Sequence, residues 1–439
     1  MAQYRISGSS GQEIAAGIER AIEQGALAPG EALPSVRAIA RELGVSPTTV
    51  SAALGDLRSR GLVVTHERSR SRVSWRPPLG GSLQRPSVPA GARDLASGNP
   101  DPALLPDATP FLRRLEPPTQ LYGGEPAVPG LLALAEAELG ATGIDSGALA
   151  VTSGALDGIE RALQANAKPG DLIAVEDPGF AGLFDLLRAL GLALRPVPID
   201  DRGMVPDGLA AALAEGAAAV VLNPRGQNPT GASLDESRAQ ELRAVLAQAP
   251  GAMVVEDDHL GPVAGVPRVT LTAGRERWAS TLSLAKSLGP DLRLAILAGD
   301  ARTISRVRGR QAVGPQWVSH LLQHLVASMW ADKRVGVALA HAADTYRDRR
   351  EQFQAALAER GIEVTAPAGI AVWIPVPEEA PVVQALLAQG WAVMPGAPFR
   401  LQSPRAIRVT TSTLTAAEAD DLAEAIRGAL QPSSATRTA

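Results

Sequence analysis

Cysteine is absent from the 439-residue chain, which removes structural disulfides, thiolate nucleophiles and Cys-ligated zinc or iron–sulfur sites together. Lysine is nearly absent as well: the 42 basic residues are 39 Arg and only three Lys. No apolar run reaches the roughly 18 residues of a membrane-crossing helix, and residues 1–10 (MAQYRISGSS) lack the apolar middle of a secretory signal. The expectation is a cytoplasmic protein with no membrane partner. What is present, 45 % hydrophobic and 20 % charged residues, is the ordinary globular mix and excludes a fibrous or mainly disordered chain. At roughly 100–200 residues per domain the length suits two or three domains.

Charge is uneven. Residues 1–76 hold ten Arg and seven acids, +3, while the net charge of the whole is −4, so the remainder is −7. Within residues 58–76 six Arg face the single acid Glu67, a local excess that attracts a phosphate backbone. The pattern around it sharpens the reading. Residues 11–25 place Ile14, Ile18, Ala21 and Ile22 at helical spacing. Residues 35–43 (SVRAIAREL) put Val36, Ile39, Ala40 and Leu43 on one face behind a Ser35 cap. Gly44 and Val45 form a turn, Ser46 caps a third helix with Pro47 at its first position, and Val50, Leu54 and Leu57 face inward. The result is a helix-turn-helix whose reading helix begins with polar Ser46, Thr48, Thr49 and Ser51, the end that enters the major groove. Downstream, Val63 and Val64 pair with Val73 in a hairpin tipped by Arg68 and Arg70.

Through PGEALPSVRAIARELGVSPTTV and the following LRSRGLVV, residues 10–75 resemble the GntR family of bacterial winged-helix repressors. The resemblance implies that Arg37 and the polar residues Ser46, Thr48, Thr49 and Ser51 contact double-stranded operator DNA, with Arg68 and Arg70 on the wing. The wing tip, glycine-rich in the family, is ERSRSR here and implies added phosphate contacts. Residues 76–93, with four Pro and three Gly, read as a linker.

Residues 94–430 alternate short apolar runs with helical patterns, the signature of a mainly parallel sheet covered on both faces. Polar groups cluster where the runs end: Ser153, Gly154 and Ala155, Phe180, Asn228, Asp257 and Lys286, and ligands of such sheets sit beyond strand carboxyl ends. Of the three lysines, Lys168 and Lys333 lie in polar turns and Lys286 ends an apolar run. A desolvated amine there is a usable nucleophile towards carbonyl compounds, and a snorkelling lysine is the plain alternative. Asp257 closes the apolar strand AMVVED; it is placed either as a helix cap or against a pyridinium nitrogen. Arg293, Ser283 and the amides of Ser153, Gly154 and Ala155 supply charge and donors for a phosphate.

In this order the residues resemble fold-type I aminotransferases of the class I/II group, from Leu95 to Arg408. The resemblance implies pyridoxal 5'-phosphate as cofactor, with Lys286 as the Schiff-base lysine, Asp257 as the pyridine-nitrogen partner and Asn228 as donor to the ring oxygen. It implies Phe180 stacked on the ring and Ser153, Gly154, Ala155, Ser283 and Arg293 on the phosphate. It further implies that Tyr122 reaches that phosphate from the neighbouring subunit of a homodimer and that Arg408 binds a substrate carboxylate. Two positions depart from the pattern. His259 stands where a tyrosine near the ring oxygen is usual, and PDLR in place of PGLR sets Asp291 two residues before Arg293.

A winged helix joined to an aminotransferase-like domain is the architecture of the MocR/GabR group of bacterial regulators, which the whole chain resembles. The expected fold is an all-α winged-helix domain over residues 1–75, the linker, and an α/β fold-type I domain over residues 94–430. The latter includes a small C-terminal α+β subdomain at about residues 335–430, and residues 431–439 read as a tail. The implied function is a PLP-dependent transcriptional regulator that senses the cofactor, an amino acid or an amine and modulates promoter binding. The alternative is an active aminotransferase carrying a DNA-binding head. His320 and His324 share a helix face, but without a third ligand no metal site is expected. Trp317, Trp330, Trp373 and Trp391 are expected in the core.

Overall fold

In the computed structural model, residues 6, 8–23, 26–27, 31–59, 61–64, 71–74, 88–144 and 148–431 are described. Two units result: residues 1–84 with 168–172 and 181–194, and residues 85–167, 173–180 and 195–439.

Local caps set the N-terminal helices. Helix α1 (Gly11–Glu23) starts where the Glu13 carboxylate accepts the Ser9 N–H at 2.8 Å and the Ser10 hydroxyl accepts the Glu13 N–H at 3.3 Å, a reciprocal pair that satisfies otherwise orphan donors. Helix α2 (Val36–Leu43) is capped by Ser35, whose Oγ accepts the Ala38 N–H at 3.2 Å, and ends at Gly44 with φ +69°, a left-handed stop that a Cβ would disfavour. Helix α3 (Pro47–Ser59) begins at Ser46, whose Oγ accepts the Thr49 N–H at 3.1 Å. Strands β1 (Val63–Val64) and β2 (Arg72–Val73) pair antiparallel, Val63 opposite Val73. Ile14, Ile18, Ile39, Val50, Leu54, Leu57, Val63 and Val73 form one core, with Ala21, Ile22, Val36 and Leu43 at its margin. The inward faces expected from helical spacing are therefore the buried ones. Arg68, Arg70 and most of the linker and tail lie outside the described residues.

After strand β3 (Arg93–Asp94) comes the main sheet. Its strands are β4 (Leu149–Thr152), β5 (Leu172–Asp177), β6 (Ala193–Asp200), β7 (Gly203–Met204), β8 (Ala219–Leu222), β9 (Met253–Asp258), β10 (Trp278–Ser283) and β11 (Ala295–Gly299), in the order β4-β11-β10-β9-β8-β5-β6-β7. β5, β8, β9 and β10 run parallel and β11 is antiparallel to both neighbours. The mainly parallel sheet expected from buried apolar runs is present, and every residue of β4, β8, β9, β10 and β11 is buried.

A second, smaller sheet follows the 26-residue helix Lys333–Ala358. It contains β12 (Ala371–Pro375), β14 (Met394–Pro395) and β15 (Ala406–Thr410), while β13 (Trp391–Ala392) pairs with β3. Helices Glu379–Ala388 and Ala416–Leu430 pack on it around Leu95, Phe353, Val372, Ile407 and Leu422. Arg93 anchors the entry strand to helix Ala416–Leu430 through Glu418 at 2.7 Å. The four tryptophans expected in the core are half-buried: their size lets one face pack while another stays open.

Candidate functional site

Strand register assembles the site. Ser283 at the end of β10 lies opposite Ala295 at the start of β11, and Ala295 opposite Thr152 at the end of β4. Ser153, Gly154, Ala155, Ser283 and Arg293 therefore meet at one corner of the sheet. Helix Ala155–Asn166 starts there, with Gly154 as its N-cap at φ +102°, so the free N–H groups and the positive dipole end face the corner. Arg293, itself left-handed at φ +43°, donates to the Ser153 carbonyl at 3.3 Å. A Cβ on Gly154 would stand 2.9 Å from Arg293 Nη2, so glycine is what permits this approach.

Asp257 and Asp258 alternate on β9 and meet opposite fates. Asp258 pairs with Arg225 at 2.8 Å and Arg268 at 3.3 Å. Burial would raise its pKa, but these two guanidinium groups outweigh it and hold the carboxyl below its ordinary range. Among the described residues Asp257 forms no ion pair; the Thr281 hydroxyl, directly across in register, donates to it at 3.0 Å. Burial, with the Asp258 charge beside it, pushes Asp257 up to about 6. An uncompensated buried carboxyl is suited to a cationic ring nitrogen.

Next to it, Asn223 Nδ2 donates to the Asp257 carbonyl at 2.7 Å and lies 3.2 Å from His259 Nδ1. Since that amide nitrogen is a donor only, His259 Nδ1 accepts and the imidazole proton sits on Nε2. Burial, reinforced by the Lys286 charge, lowers His259 to about 4. His259 is thus a neutral imidazole with its Nε2–H left as a donor.

Lys286, half-buried, donates through Nζ to the Gly98 carbonyl. Arg408 on β15 converges on the same place: a Cβ on Gly98 would lie 3.5 Å from its Nη1. Arg408 is 5 % exposed, donates to Asn228 Oδ1 at 3.2 Å and to the Ala96 carbonyl, and rests 4.7 Å from the Phe399 ring centroid. Its Nε is buried without a hydrogen-bond partner, and burial lowers its pKa to about 10. Phe180, half-buried, follows the end of β5. Tyr122 is not part of this cluster; it is 86 % exposed, with its ring 5.8 Å from that of Trp317.

Several functional residues do not stand out in the sequence. Asn223 belongs to the first of two Asn-Pro pairs in LNPRGQNPTG, of which only the second carries the family resemblance. Glu176 and Asp177, two acids ending an apolar run, carry the same signal as Asp257. Glu176 is buried, accepts the Asn223 N–H at 3.1 Å on one oxygen, and leaves the other without a hydrogen-bond partner. Burial pushes it up to about 8.

In the winged-helix unit Arg37, Ser46, Thr48 and Ser51 are exposed and Thr49 is half-buried. The Ser46 hydroxyl is engaged in capping and lies 2.8 Å from Thr49 Oγ1, which among the described residues leaves Arg37, Thr48 and Ser51 as the open donors. Among the described residues no group of three or more His, Asp or Glu is placed to hold a metal ion, and no helix is long and apolar enough to cross a membrane.

Comparison with known proteins agrees with this fold. Residues 10–73 match the bacterial regulatory proteins of the gntR family, and residues 127–426 match aminotransferase class I and II. The chain is 38 % identical to the vitamin B6 salvage pathway transcriptional repressor PtsJ of Salmonella typhimurium, over 97 % of this chain and 99 % of that protein. It is 28 % identical to the pyridoxine biosynthesis transcriptional regulator PdxR of Corynebacterium glutamicum, over 78 % and 77 % of the two chains. Among solved structures, an archaeal alanine:glyoxylate aminotransferase superposes with a TM-score of 0.70 at 22 % identity, over 79 % of this chain and 92 % of that one. The kynurenine aminotransferase of Pyrococcus horikoshii gives 0.69 at 22 %, over 78 % and 92 %. The gntR-type domain implies DNA binding, and the aminotransferase fold implies binding of pyridoxal phosphate. With a DNA-reading head and an aminotransferase body in one polypeptide, the chain belongs to the MocR-type transcriptional regulators, which join a gntR helix-turn-helix domain to an aminotransferase class I and II domain.

Proposed function

We propose that the protein binds operator DNA as a homodimer and that its aminotransferase-like part, holding pyridoxal phosphate, reads a small amine or amino-acid effector and adjusts that binding. The observation that carries the reading is Arg408. Among the described residues its hydrogen bonds go only to an amide and a carbonyl oxygen; the Asp94 charge favours the cation but is outweighed by burial, and a buried cation so incompletely compensated is costly. An effector carboxylate relieves that cost beside the Lys286 amine.

The residues fit the cofactor. Gly154 leaves the phosphate corner clear of a Cβ, and among the described residues the buried Asp257 forms no ion pair, the Arg268 charge falling short of offsetting its burial. When bound, pyridoxal phosphate supplies an aldehyde carbon that condenses reversibly with primary amines, and a ring that withdraws electrons. Lys286 would hold it covalently, Asp257 at the ring nitrogen, Asn228 and His259 at the ring oxygen, and Phe180 against the ring face. Ser153, Gly154, Ala155, Ser283 and Arg293 would hold the phosphate, completed by Tyr122 of a second copy. Control is a population shift: an effector that binds one arrangement of the dimer more tightly biases it, with couplings of about 1–3 kcal/mol typical.

A second reading, in which pyridoxal phosphate is itself the effector, is supported by the vitamin B6 roles of PtsJ and PdxR. One experiment separates the readings. The full chain is loaded with pyridoxal phosphate and titrated with amino acids and amines, following visible absorbance and retention of operator DNA. A lasting band shift with one compound, accompanied by altered retention, supports the amine sensor. Retention that responds to pyridoxal phosphate alone supports the cofactor sensor. Steady accumulation of a keto product overturns both in favour of an aminotransferase.

A further inference from the structure

The loop between β14 and β15 carries the ring on which Arg408 rests, and it is pinned from two directions. From the small sheet's side, Glu379 accepts the Ala397 N–H at 2.7 Å and pairs with Arg400 at 2.8 Å. From the main sheet, Asp177 at the end of β5 receives four donors: the N–H groups of Leu401 at 2.9 Å, Gln402 at 2.6 Å and Ser403 at 2.9 Å, and the Ser403 hydroxyl at 2.8 Å. Two residues on, the Gly179 N–H donates to the Phe399 carbonyl at 2.8 Å. Phe399 is 2 % exposed; its ring meets Trp373 edge-on at 6.0 Å and the Arg408 guanidinium at 4.7 Å.

We infer that Asp177 is a positioning residue for the effector's carboxylate: by tying residues 401–403 to the main sheet it fixes Phe399 beneath Arg408 and aims the guanidinium fork beside Lys286. The chain of contacts runs from residues 401–403 through Phe399 to Arg408 and does not include Lys286, Asp257 or the phosphate corner. Loss of the tie therefore lets the guanidinium wander while the amine-binding half of the site stays intact. The inference rests on the role proposed for Arg408. A carboxylate held by four donors is replaced poorly by an amide, which keeps one acceptor oxygen and turns N–H groups against N–H donors.

The test uses the full chain loaded with pyridoxal phosphate. Twenty amino acids, and the amines obtained from them by replacing the carboxyl with hydrogen, are titrated against wild type, Asp177→Asn, Phe399→Leu and Arg408→Gln. Half-saturation is read from visible absorbance and, independently, from thermal unfolding. Asp177→Asn and Phe399→Leu are expected to weaken the best amino acid by about tenfold, roughly 1.4 kcal/mol, and its amine by less than about twofold. Equal weakening of amino acid and amine, or none, with Arg408→Gln still selective against amino acids, overturns the inference and leaves the Arg408 reading standing. An Arg408→Gln that treats both ligands like wild type overturns the Arg408 reading and this inference with it. If Asp177→Asn does not fold, Phe399→Leu decides: an unchanged ratio of amino acid to amine overturns the inference.

Discussion

Glu176→Gln separates buried protonation from buried packing. In the folded chain burial raises Glu176 to about 8 against an ordinary 4.5, so it keeps its proton in a range where the unfolded chain has released it. Unfolding then releases a proton, and stability falls as pH rises from 4.5 to 8, levelling off above. Asp257, at about 6 against 3.8, acts in the same direction but only up to pH 6. His259, at about 4 against 6.5, acts oppositely, because the unfolded chain binds the extra proton and stability rises with pH up to 6.5. Of the three, Glu176 alone titrates between pH 6.5 and 8. A full proton is about 1.4 kcal/mol per pH unit, so about 2 kcal/mol of stability should disappear across that window. Glutamine keeps an oxygen for the Asn223 N–H, now at 3.1 Å, and cannot ionise. Urea unfolding of the cofactor-free protein, followed by tryptophan fluorescence at several pH values, should show the wild type weakening from pH 6.5 to 8 and Glu176→Gln flat. Parallel curves for the two would refute the reasoning.

Other expectations are more local. Gly154→Ala sets a Cβ 2.9 Å from Arg293 Nη2 at a φ of +102°, a conformation costing about 1–3 kcal/mol for other residues; absorbance titration should find pyridoxal phosphate bound at least about tenfold more weakly. Leu57→Ala empties a fully buried position of the helix-turn-helix core and should cost about 3 kcal/mol, abolishing operator binding at 37 °C in a gel-shift assay while the cofactor band stays unchanged. Arg68→Ala with Arg70→Ala should flatten the slope of log affinity against log salt by about one for each phosphate no longer neutralised; an unchanged slope would mean that the wing stays off the DNA. Footprinting should reveal a repeated or palindromic site with half-sites at helical-turn spacing, and a single unrepeated site would count against a dimer.

The helix-turn-helix was legible because its signals are local. Ser35, Gly44 and Ser46 act within a few residues of themselves, and the apolar stripe of α1 to α3 has the same period in sequence as in space. The parallel sheet was legible for a similar reason, since a strand buried on both faces must be apolar throughout. At the site, the residue types at strand ends pointed to Lys286, Asp257 and Asn228, and the family resemblance added Arg408. Asn223, Glu176 and Asp177 also end apolar runs yet were not legible as site residues, because a strand end reveals that a polar group needs a partner and not which partner it finds.

By itself, then, the sequence determined the two kinds of domain, the caps and the inventory of groups at the carboxyl edge of the sheet, all of which depend on neighbours along the chain. Only the tertiary structure decided the use of those groups. It turned Asp258 towards Arg225 and Arg268 and left Asp257 unpaired, because adjacent strand residues face opposite sides. It brought Gly98, Asn228, Lys286 and Arg408 together from four separate segments, and hung residues 401–403 on Asp177 across 224 positions of chain. Charges that far apart in sequence have no local pattern to betray them, and their pKa shifts arise from a burial that only the packed sheet creates.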